Sequence, residues 1–336
     1  MSRHCDSSRT AVCPLCGGTA ARHLVTKRGH EVVRCAACTL VFVWPQPTAE
    51  ELDALYSGGS YHAAVDEAER HQHFARRLRQ IEHLAPRRGR ILDVGCSKGF
   101  LLDVARAEGW DAVGIELNRN AVEEARARGL DVRQGELDDR AFDEASFDVV
   151  TLFDLLEHAR DPRGALAACR RVLRPGGLLV VTTPDIGGLV PRVTYGLFAR
   201  TLGAWDHPTP PGHLIQFSRR TLRQLLENTG FEIVSERSEH IPVAYSVGKL
   251  ENSILDALTG RHKVKPRSPE GWKKPGPGAG GGEGGGSPLR WGVRLGVRGV
   301  CWVVIGLAGL LARAAGRGDS MRVVARRPAS QTPSAG

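Results

Sequence analysis

The sequence lacks an uninterrupted run of 18 or more apolar residues, and its start, MSRHCDSSRT, lacks the apolar stretch of a secretory signal. A membrane-spanning helix needs about 20 predominantly apolar residues, and a signal peptide needs an apolar core close to the N-terminus. We therefore expect a cytoplasmic chain without an ordinary membrane-spanning helix.

Net charge is absent from the first 238 residues, which contain 31 Lys and Arg and 31 Asp and Glu. The whole excess of +9 lies in residues 239–336. A basic C-terminal third can contact nucleic acid, anionic lipid or only water. Because the rest of the chain is electrically balanced, we expect no nucleic-acid partner.

Disulfides are not expected in a chain without a secretory signal, although the sequence has eight cysteines. Four of them, Cys13, Cys16, Cys35 and Cys38, form two CxxC pairs with the spacing C-x2-C-x18-C-x2-C. Two such knuckles supply four thiolates to one tetrahedral Zn²⁺ site, and a zinc without an open position is structural. The sequence predicts a zinc ribbon over 1–46; a redox CxxC or a chance arrangement is the alternative.

Helices and strands alternate from residue 90 onward. Before that point, a capping box formed by Thr48 and Glu51 predicts a short helix, and a charged amphipathic pattern predicts a helix over about 63–85, so that 47–87 is a helical linker. The strands over 88–238 are almost continuously apolar, which indicates a parallel sheet covered on both faces. RPGG at 174–177 predicts a turn before the strand LLVVTTP, 184–217 is expected to be irregular, and 320–326 to be a last strand, followed by a disordered tail that ends at 336.

The stretch RILDVGCSKGF, residues 90–100, lacks the features of two common nucleotide-binding loops. A GxGxxG fingerprint that starts at Gly95 needs glycines where the chain has Ser97 and Phe100, and the GK[ST] ending of a Walker loop is missing. What is present is D-x-G-x-x-x-G, followed 23 residues after Asp93 by Glu116 at the end of the second strand. A carboxylate at that position can accept both ribose hydroxyls of an adenosine.

These motifs resemble those of the class I S-adenosylmethionine-dependent methyltransferases, over about 88–236 and Met321–Arg327. The resemblance implies an α/β fold with a doubly wound, mostly parallel seven-stranded sheet, a Rossmann-like methyltransferase fold, and S-adenosylmethionine as cofactor. The residues it assigns to cofactor binding are Asp93, Gly95, Cys96, Ser97, Gly99, Glu116, Leu117, Glu136, Leu137, Phe153 and Asp154. Many family members have Asp at the position of Glu136. Taken singly, Asp93 also reads as a turn residue, Glu116 as a solvated acid and Ser97 as a helix cap.

Two histidines are candidates for a general base, since histidine titrates near neutral pH. His158 lies in LLEHARDP after the fourth strand, and His213 lies in PPGHLIQFS, where the family inserts acceptor-binding elements. The alternative for His158 is a structural cap of the turn, and His213 is also readable as a structural residue. The chain also lacks the N-P-P-[YF]-like stretch of amino-group and base methyltransferases, with Phe153-Asp154-Leu155-Leu156 in its place. This favours methylation of an oxygen or carbon of a small, sugar or lipid-linked acceptor.

Residues 239–319 are an insertion between the last two strands of the expected sheet. It contains a glycine-rich linker at 275–288 and an apolar segment at 289–317, in which Gly299 to Ala312 carry no charge and arginines stand on either side. Such a segment predicts an interfacial helix that holds the protein peripherally at the inner face of a membrane. A helix packed on the domain, or a contact between two copies, is the alternative.

Other functions remain open on the sequence alone. The pairing of an N-terminal zinc ribbon with a methyltransferase domain is similar to that of bacterial sugar C-methyltransferases, and LLEH resembles quinone-biosynthesis O-methyltransferases. Some ribosomal RNA methyltransferases also carry a zinc module, so an rRNA or tRNA methyltransferase is the alternative function. A third class is a binding module that keeps the cofactor pocket without turnover. The sequence does not indicate an oligomeric state.

Overall fold

The computed structural model describes residues 10–48, 50–52, 55, 66–85, 87–138, 140–205, 207–259 and 288–329. The predicted glycine-rich linker, apart from its last residue, and the tail at 330–336 lie outside these ranges. The chain folds into two compact units, each built from separate stretches of sequence. The ribbon unit comprises 1–52, 184–222 and 238–321, and the sheet unit comprises 53–183, 223–237 and 322–336.

The described strands and helices are numbered in chain order. The strands are β1 (Ala21–Lys27), β2 (His30–Cys35), β3 (Val41–Trp44), β4 (Arg90–Val94), β5 (Asp111–Glu116), β6 (Asp131–Gln134), β7 (Phe147–Phe153), β8 (Leu173–Pro184), β9 (Ile215–Gln216), β10 (Glu232–Glu239) and β11 (Ser320–Arg326). The helices are α1 (Glu67–Glu82), α2 (Phe100–Ala107), α3 (Arg119–Ala127), α4 (Pro162–Val172), α5 (Leu189–Thr194), α6 (Arg200–Leu202), α7 (Arg219–Asn228), α8 (Val243–Leu258) and α9 (Pro288–Ala314). A 3₁₀ turn spans Leu156–His158, and a π-helical turn spans Tyr195–Ala199.

The sheet unit is built on a seven-stranded sheet with the order β10-β11-β8-β7-β4-β5-β6. The pairs β4–β5, β5–β6, β4–β7 and β7–β8 are parallel, as predicted for an α/β doubly wound fold. The strand order reverses at β4, whose neighbours are β5 and β7. In sheets of this kind, ligands bind at the carboxyl ends of the strands beside that switch point.

Two apolar clusters in the sheet unit explain the almost continuous apolar strands. One joins strands β4, β7 and β8 to helices α1 and α2; its members include Ile91, Val149, Val180, Leu78 and Leu101, all 2% exposed or less. The other joins the start of α2 to α3 and β6, and includes Leu102, Val122, Ala125 and Val132. Because helices contribute to both clusters, the strands have little need for the polar alternation of a half-exposed sheet.

The helix starts follow the predicted caps. Asn118 precedes α3, and its side chain accepts a hydrogen bond from the Ala121 N–H at 3.0 Å. Asp161 precedes α4 and accepts from the N–H groups of Arg163 and Gly164, with proline at the first helical position. These bonds satisfy N–H groups that have no partner inside the helix.

The predicted capping box is also present. The Thr48 N–H donates to Glu51 Oε2 at 3.0 Å, and the Glu51 N–H donates to Thr48 Oγ1 at 3.2 Å, with helical backbone at 50–52. The following helix, α1, runs from Glu67 to Glu82, within the predicted range, and Asp66 caps it by accepting from two N–H groups of its first turn. Residues 63–65 of the predicted helix lie outside the described residues.

RPGG at 174–177 is not the turn that the sequence predicted. Strand β8 starts at Leu173 and contains these residues as an irregularity, with Leu173 opposite Phe147 and Leu178 opposite Val149. Gly176 has a φ of 82°, and its N–H donates to the Arg327 carbonyl at 2.8 Å. Backbone hydrogen bonds to Arg327, directly after β11, keep the stretch within the sheet. Local turn propensity cannot predict these bonds, because they join residues that are remote in sequence.

The ribbon unit contains a four-stranded antiparallel sheet with the order β1-β2-β3-β9. Its fourth strand, β9, pairs Ile215 with Phe42 and Gln216 with Val41. Residues 184–217 are therefore not simply irregular, as the sequence indicated, since they also form α5, the π-helical turn and α6. The prolines and aromatics of this stretch gave no regular pattern in the sequence, because β9 forms by pairing with β3 and Ala199 and Trp205 pack on the ribbon strands.

Helix α9 packs one face on α8 and α5 through a cluster that includes Val247, Leu250, Cys301, Ile305 and Ala308. The segment Val293–Ala314 has 22 residues and a mean hydropathy of 2.0, and 28% of its most apolar stretch is buried. By length and composition alone it is able to cross a membrane. It is not one uninterrupted apolar run, because Arg294 and Arg298 lie within it. The expectation of a chain without an ordinary membrane-spanning helix stays a prediction.

Candidate functional site

The loop after β4 has a backbone that requires glycine at two positions. Gly95 and Gly99 have φ values of 73° and 80°, in the left-handed region that residues with a Cβ rarely adopt. A Cβ at Gly95 would lie 2.8 Å from Leu155 Cδ1, and one at Gly99 would lie 2.5 Å from Leu130 Cδ1. Both glycines are thus needed for their backbone conformation, at the edge of the sheet where ligands bind, and a Cβ at either position would displace a leucine side chain.

Glu116 ties this loop to the end of β5. Its Oε2 accepts the Ser97 N–H at 2.9 Å, and its Oε1 accepts the Asn118 N–H at 2.8 Å. Each carboxylate oxygen keeps a second lone pair, and the side chain is partly exposed, so it is held in place with acceptor capacity left over. Glu116 is therefore not a freely solvated acid, and Ser97 is not the cap of α2, since Gly99 occupies that position without a side-chain cap.

Asp93, at the same edge, is buried and faces the neighbouring strand. It is 4% exposed, and its Oδ1 accepts a hydrogen bond from Thr151 Oγ1 at 2.6 Å. Burial raises the pKa of Asp93 to about 7; the Thr151 hydrogen bond opposes this rise and the charge of Glu116 adds to it. The Cys96 thiol next in the loop is also buried, and desolvation raises its pKa. Thr151 is a residue that sequence reasoning missed, and its only signal was one hydroxyl in the apolar strand FDVVTLF.

The loop after β6 meets the end of β5 beside Glu116. The Gly135 N–H donates to the Glu116 carbonyl at 2.9 Å, which places Glu136 and Leu137 next in line. Leu117 is 43% exposed, Glu136 is exposed and Leu137 is half-buried. These side chains offer apolar surface and one exposed carboxylate where the sequence predicts the adenine.

The end of β7 completes this edge of the sheet unit. Asp154 has a φ of 50°, its N–H donates to the Thr182 carbonyl at 3.0 Å, and Thr182 Oγ1 donates to Asp154 Oδ1 at 3.2 Å. Phe153 is half-buried. Its ring centroid lies 5.9 Å from that of Phe74 and 5.1 Å from the Arg77 guanidinium. Phe74 and Arg77 belong to α1 and were missed as site residues, because one apolar and one basic residue on an amphipathic helix carry no particular signal.

The two candidate bases lie in different units. His158 ends the 3₁₀ turn after β7, is half-buried, and donates its N–H to the Leu155 carbonyl at 2.9 Å. Beside it in the chain, Glu157 is buried and accepts a hydrogen bond from Thr183 Oγ1 at 2.9 Å. His213 is 9% exposed, lies two residues before β9 in the ribbon unit, and donates its N–H to the Thr209 carbonyl at 3.1 Å.

The ribbon unit brings the four predicted metal ligands together. Cys13 Sγ lies 3.5 Å from Cys38 Sγ, Cys16 Sγ lies 3.6 Å from Cys35 Sγ, and all four sulfurs lie within 4.8 Å of one another. All four are free thiols, and a disulfide would need a separation of about 2.05 Å. A tetrahedron with Zn–S bonds of about 2.3 Å has edges of about 3.8 Å. The cluster therefore has the ligand type, number and spacing that Zn²⁺ requires.

The arrangement of the sheet unit has a definite chemical capacity. A backbone loop that admits close approach, a fixed carboxylate that accepts hydroxyl donors, and exposed apolar surface beside it together suit an adenosine-containing ligand.

Comparisons with known proteins agree with this geometry. A protein family described as "Methyltransferase domain" matches residues 67–236. A probable S-adenosylmethionine-dependent methyltransferase of Mycolicibacterium smegmatis is 33% identical over 145 residues, which are 43% of this chain and 52% of that protein. A ubiquinone biosynthesis O-methyltransferase of Paracidovorax citrulli is 38% identical over 116 residues, 32% of this chain and 49% of that protein. The chain thus spans about half the length of the curated relatives it matches.

Among solved structures, a putative methyltransferase of Bacillus halodurans aligns with 75% of this chain and 98% of its own, at 17% identity and a TM-score of 0.45.

Proposed function

The chain belongs to the methyltransferase-domain family, and we propose that it transfers a methyl group from S-adenosylmethionine to an oxygen or carbon of a small, sugar or lipid-linked acceptor. The observation that carries the proposal is the bond between the glycine loop and the acid of the second strand, from the Ser97 N–H to Glu116 Oε2 at 2.9 Å. It joins the two parts of the chain that would hold the methionine and the ribose of one cofactor.

The residues at this edge divide the binding work between them. Gly95 and Gly99 let the loop backbone approach the methionine part, while the second lone pairs of Glu116 accept the ribose hydroxyls. Leu117 and Leu137 supply apolar surface for the base, with Glu136 at the edge. Asp93, buried on Thr151, positions the end of β4.

Methyl transfer is a displacement, so most of the protein's contribution is alignment and exclusion of water. S-adenosylmethionine supplies an electrophilic methyl group on a sulfonium, whose sulfur keeps the bonding electron pair when the methyl leaves. A hydroxyl acceptor loses its proton as its oxygen bonds to the methyl carbon, and a neutral histidine is suited to take that proton. We propose His158 or His213 for this role. If turnover at saturating cofactor is the same in His158→Ala, in His213→Ala and in the wild type, neither histidine is the base.

The proposed acceptor atom follows from the stretch after β7 and from the relatives. Phe153-Asp154-Leu155-Leu156 stands where amino-group and base methyltransferases carry an N-P-P-[YF]-like stretch. Several relatives are named ubiquinone biosynthesis O-methyltransferases, which supports oxygen and a small or lipid-linked acceptor.

The test of the function is a cofactor-consumption assay with extracted lipids, glycans and RNA as separate acceptors. We expect consumption to rise with the lipid or the glycan fraction. Consumption that depends on the RNA fraction alone would favour the alternative of an RNA methyltransferase, and no consumption with any fraction, despite cofactor binding, would favour a non-catalytic binding module.

We also propose that the four clustered cysteines hold a structural Zn²⁺. Cys13, Cys35 and Cys38 are buried, and the spacing of the four sulfurs fits one tetrahedral site. With four protein ligands the metal has no open position, so it would stabilise the ribbon and take no part in methyl transfer.

A further part of the proposal is peripheral contact of α9 with an anionic membrane surface. Opposite its packed face, α9 exposes a stripe in which Val303, Leu307 and Leu310 are each at least 60% exposed. An apolar stripe on a helix that ends in cationic residues is typical of interfacial binding. Arg313 and Arg317 are exposed at the C-terminal end of this helix, in keeping with contact to anionic lipid.

The arginines at the other end of α9 do not all face outward as the sequence indicated. Arg294 Nε lies 2.7 Å from Glu251 Oε1, and Arg298 Nε lies 3.9 Å from Glu251 Oε2. Glu251 is only 3% exposed, and a buried carboxylate needs a cationic partner. These two arginines therefore hold α9 against α8, which leaves Arg313 and Arg317 for the proposed lipid contact. The side chains of Arg290 and Trp291 lie outside the described residues.

A further inference from the structure

A cavity of about 260 Å³ opens in the ribbon unit beside Asp185, which directly follows β8. Its lining is dominated by arginine: Arg192 of α5, Arg219 and Arg220 at the start of α7, and Arg317 after α9, with Asp185 as the one acid among the lining residues. Sites for drug-sized ligands measure about 300–1,000 Å³. The cavity is therefore suited to a small charged group or to the charged end of a larger molecule.

One of the four arginines is already neutralised. Arg219 Nε lies 3.4 Å from Asp185 Oδ2, and its Nη2 donates to the Gly316 carbonyl at 3.0 Å. Asp185 is 3% exposed and its Oδ1 also accepts the Gly187 N–H at 2.8 Å, so this pair is part of the cavity wall.

The other three arginines, Arg192, Arg220 and Arg317, also line the cavity and are exposed. Within the part of the chain that the structure describes, the side chains of Arg192, Arg220 and Arg317 form no hydrogen bond or ion pair. With Arg219 balanced by Asp185, the cavity carries a net charge of three positive units from these arginines. Like charges held together repel one another unless an anion lies between them.

The cavity is held together by three stretches of chain that are remote in sequence. Backbone hydrogen bonds join them: Asp185 N–H to the Asp319 carbonyl at 3.0 Å, Ile186 N–H to the Phe217 carbonyl at 2.9 Å, and Leu189 N–H to the Arg317 carbonyl at 3.3 Å. A Cβ at Gly188 would lie 2.3 Å from the Gly318 carbonyl oxygen, so the backbones touch there. The arginines therefore project from a fixed frame, which lowers the entropic cost of binding an anion between them.

We propose that this cavity binds a phosphate or diphosphate group, with Arg192, Arg220 and Arg317 as its ligands. The planar fork of a guanidinium donates two parallel hydrogen bonds to phosphate oxygens, and such charge-assisted bonds are stronger than neutral ones. Three positive charges that have no partner among the described residues match the charge of a diphosphate better than that of a single carboxylate. Asp185 and Arg219 position the wall and do not contact the anion.

Such a group is found on a soluble phosphate ester and on a lipid whose head group is a phosphate. Arg317 lies three residues after α9, the helix proposed to contact membrane, so a lipid phosphate is tested beside a soluble one.

The test is direct binding by the full chain, without S-adenosylmethionine. Inorganic diphosphate is titrated by calorimetry, and vesicles of phosphatidylcholine with phosphatidic acid are compared with vesicles of phosphatidylcholine alone. We expect the wild type to bind diphosphate, the acidic vesicles or both. Each of Arg192→Gln, Arg220→Gln and Arg317→Gln should weaken binding about tenfold, and the triple variant should abolish it.

A matched control loses the same charge elsewhere on the ribbon unit. Arg22, Arg34 and Arg200 are exposed and do not line the cavity, so Arg22→Gln/Arg34→Gln/Arg200→Gln should keep the wild-type affinity to within about twofold. Thermal unfolding of both triple variants checks that they fold.

The outcomes separate cleanly. Diphosphate binding without vesicle binding assigns a soluble phosphate ester. Loss of acidic-vesicle binding in Arg192→Gln/Arg220→Gln, which keeps the Arg317 of the proposed α9 lipid contact, assigns a lipid phosphate. The proposal is overturned if the wild type binds neither probe, if the cavity variant keeps the wild-type affinity, or if the control variant loses as much affinity as the cavity variant. Because none of these readouts needs the cofactor, the methyltransferase proposal stands or falls separately on cofactor binding and consumption.

Discussion

At the scale of single residues, Glu116 is the side chain on which the cofactor site depends most. Its two oxygens accept N–H groups from Ser97 and Asn118, and their remaining lone pairs are the proposed ribose acceptors. Glu116→Gln removes the charge and one acceptor oxygen while keeping the shape. We expect it to weaken S-adenosylmethionine binding about tenfold or more, because a hydrogen bond to a charged group contributes about 1.5–3 kcal/mol. Calorimetric titration measures the effect.

Glu123→Gln is the matched control for that experiment. Glu123 is exposed on α3 and pairs with Arg119 at 2.8 Å, away from the loop after β4. Its loss should leave cofactor affinity unchanged. Equal affinities in the Glu116 variant and the wild type would remove Glu116 from the site.

Asp93 makes the stability of the sheet unit depend on pH. Burial raises the pKa of this carboxyl to about 7, whereas an aspartate in an unfolded chain titrates near about 3.9. Between these values the folded state binds a proton that the unfolded state lacks. The stability from this group is therefore complete below roughly pH 4 and is lost as the pH rises through about 7.

Asp93→Asn removes the titrating group and keeps an acceptor for Thr151. We expect the urea midpoint of the wild type to fall between roughly pH 4 and pH 7, and the fall to be smaller in the variant, by up to about 1.4 kcal/mol per pH unit in the free energy of unfolding. Unfolding followed by tryptophan fluorescence at several pH values checks this. Parallel curves for the two proteins would contradict a raised pKa.

At the scale of elements, the first three strands depend on the cysteine cluster. A small ribbon buries little apolar surface, and a structural metal supplies much of the missing stability. Cys38→Ser should lower the bound zinc and lower the melting temperature of the protein. Zinc content by mass spectrometry and thermal unfolding measure both effects.

Cys169→Ala is the control, because Cys169 is a fully buried cysteine of α4 outside the cluster. It should cost some packing stability and keep the zinc content of the wild type. If the wild type itself contains no zinc after purification without chelators, the metal proposal fails.

The exposed stripe of α9 is the element expected to contact membrane. Val303→Gln/Leu307→Gln/Leu310→Gln should reduce co-sedimentation with anionic vesicles and change the melting temperature little, since these side chains are already in water. Leu197→Gln/Leu202→Gln/Leu258→Gln changes three exposed apolar residues elsewhere in the ribbon unit and should leave vesicle binding intact. If the α9 variant instead converts a dimer to a monomer, the stripe is a contact between copies.

At the scale of the whole molecule, the distribution of charge argues against a nucleic-acid partner. The +9 excess lies in residues 239–336, and within that stretch Arg294 and Arg298 are engaged with Glu251. We expect no RNA binding at about 150 mM salt in a fluorescence anisotropy assay. Tight binding that falls steeply with salt, together with methylation of RNA, would reverse this assignment.

Local signals predicted much of the sheet unit and of its site. The glycine loop, the acid 23 residues after Asp93 and the caps at Asn118 and Asp161 all depend on neighbours within a turn or on the regular alternation of strands and helices. Their geometry follows from backbone conformation and hydrogen bonding over a few residues, and a single sequence contains that information.

Contacts between stretches that are remote in sequence could not be predicted from local patterns. Thr151 reaches Asp93 only because β4 and β7 are neighbours in the sheet, and β9 joins β3 only because residues 184–217 return to the ribbon. Phe74 gave no signal on its own helix, since its contact with Phe153 depends on how α1 packs.

The sequence by itself therefore determined the type of fold, the cofactor loop and the four clustered cysteines, because each is specified by residue types at short or regular spacing. Only the tertiary structure decided which arginines are engaged by a carboxylate and which are open. Glu251 takes Arg294 and Arg298, while Arg192, Arg220 and Arg317 meet at one cavity from three separate stretches. Each arginine carries the same charge in the sequence. Folding distinguishes them, because the buried carboxylate of Glu251 requires a cationic partner, whereas the backbone around the cavity holds the other three arginines where no described carboxylate pairs with them.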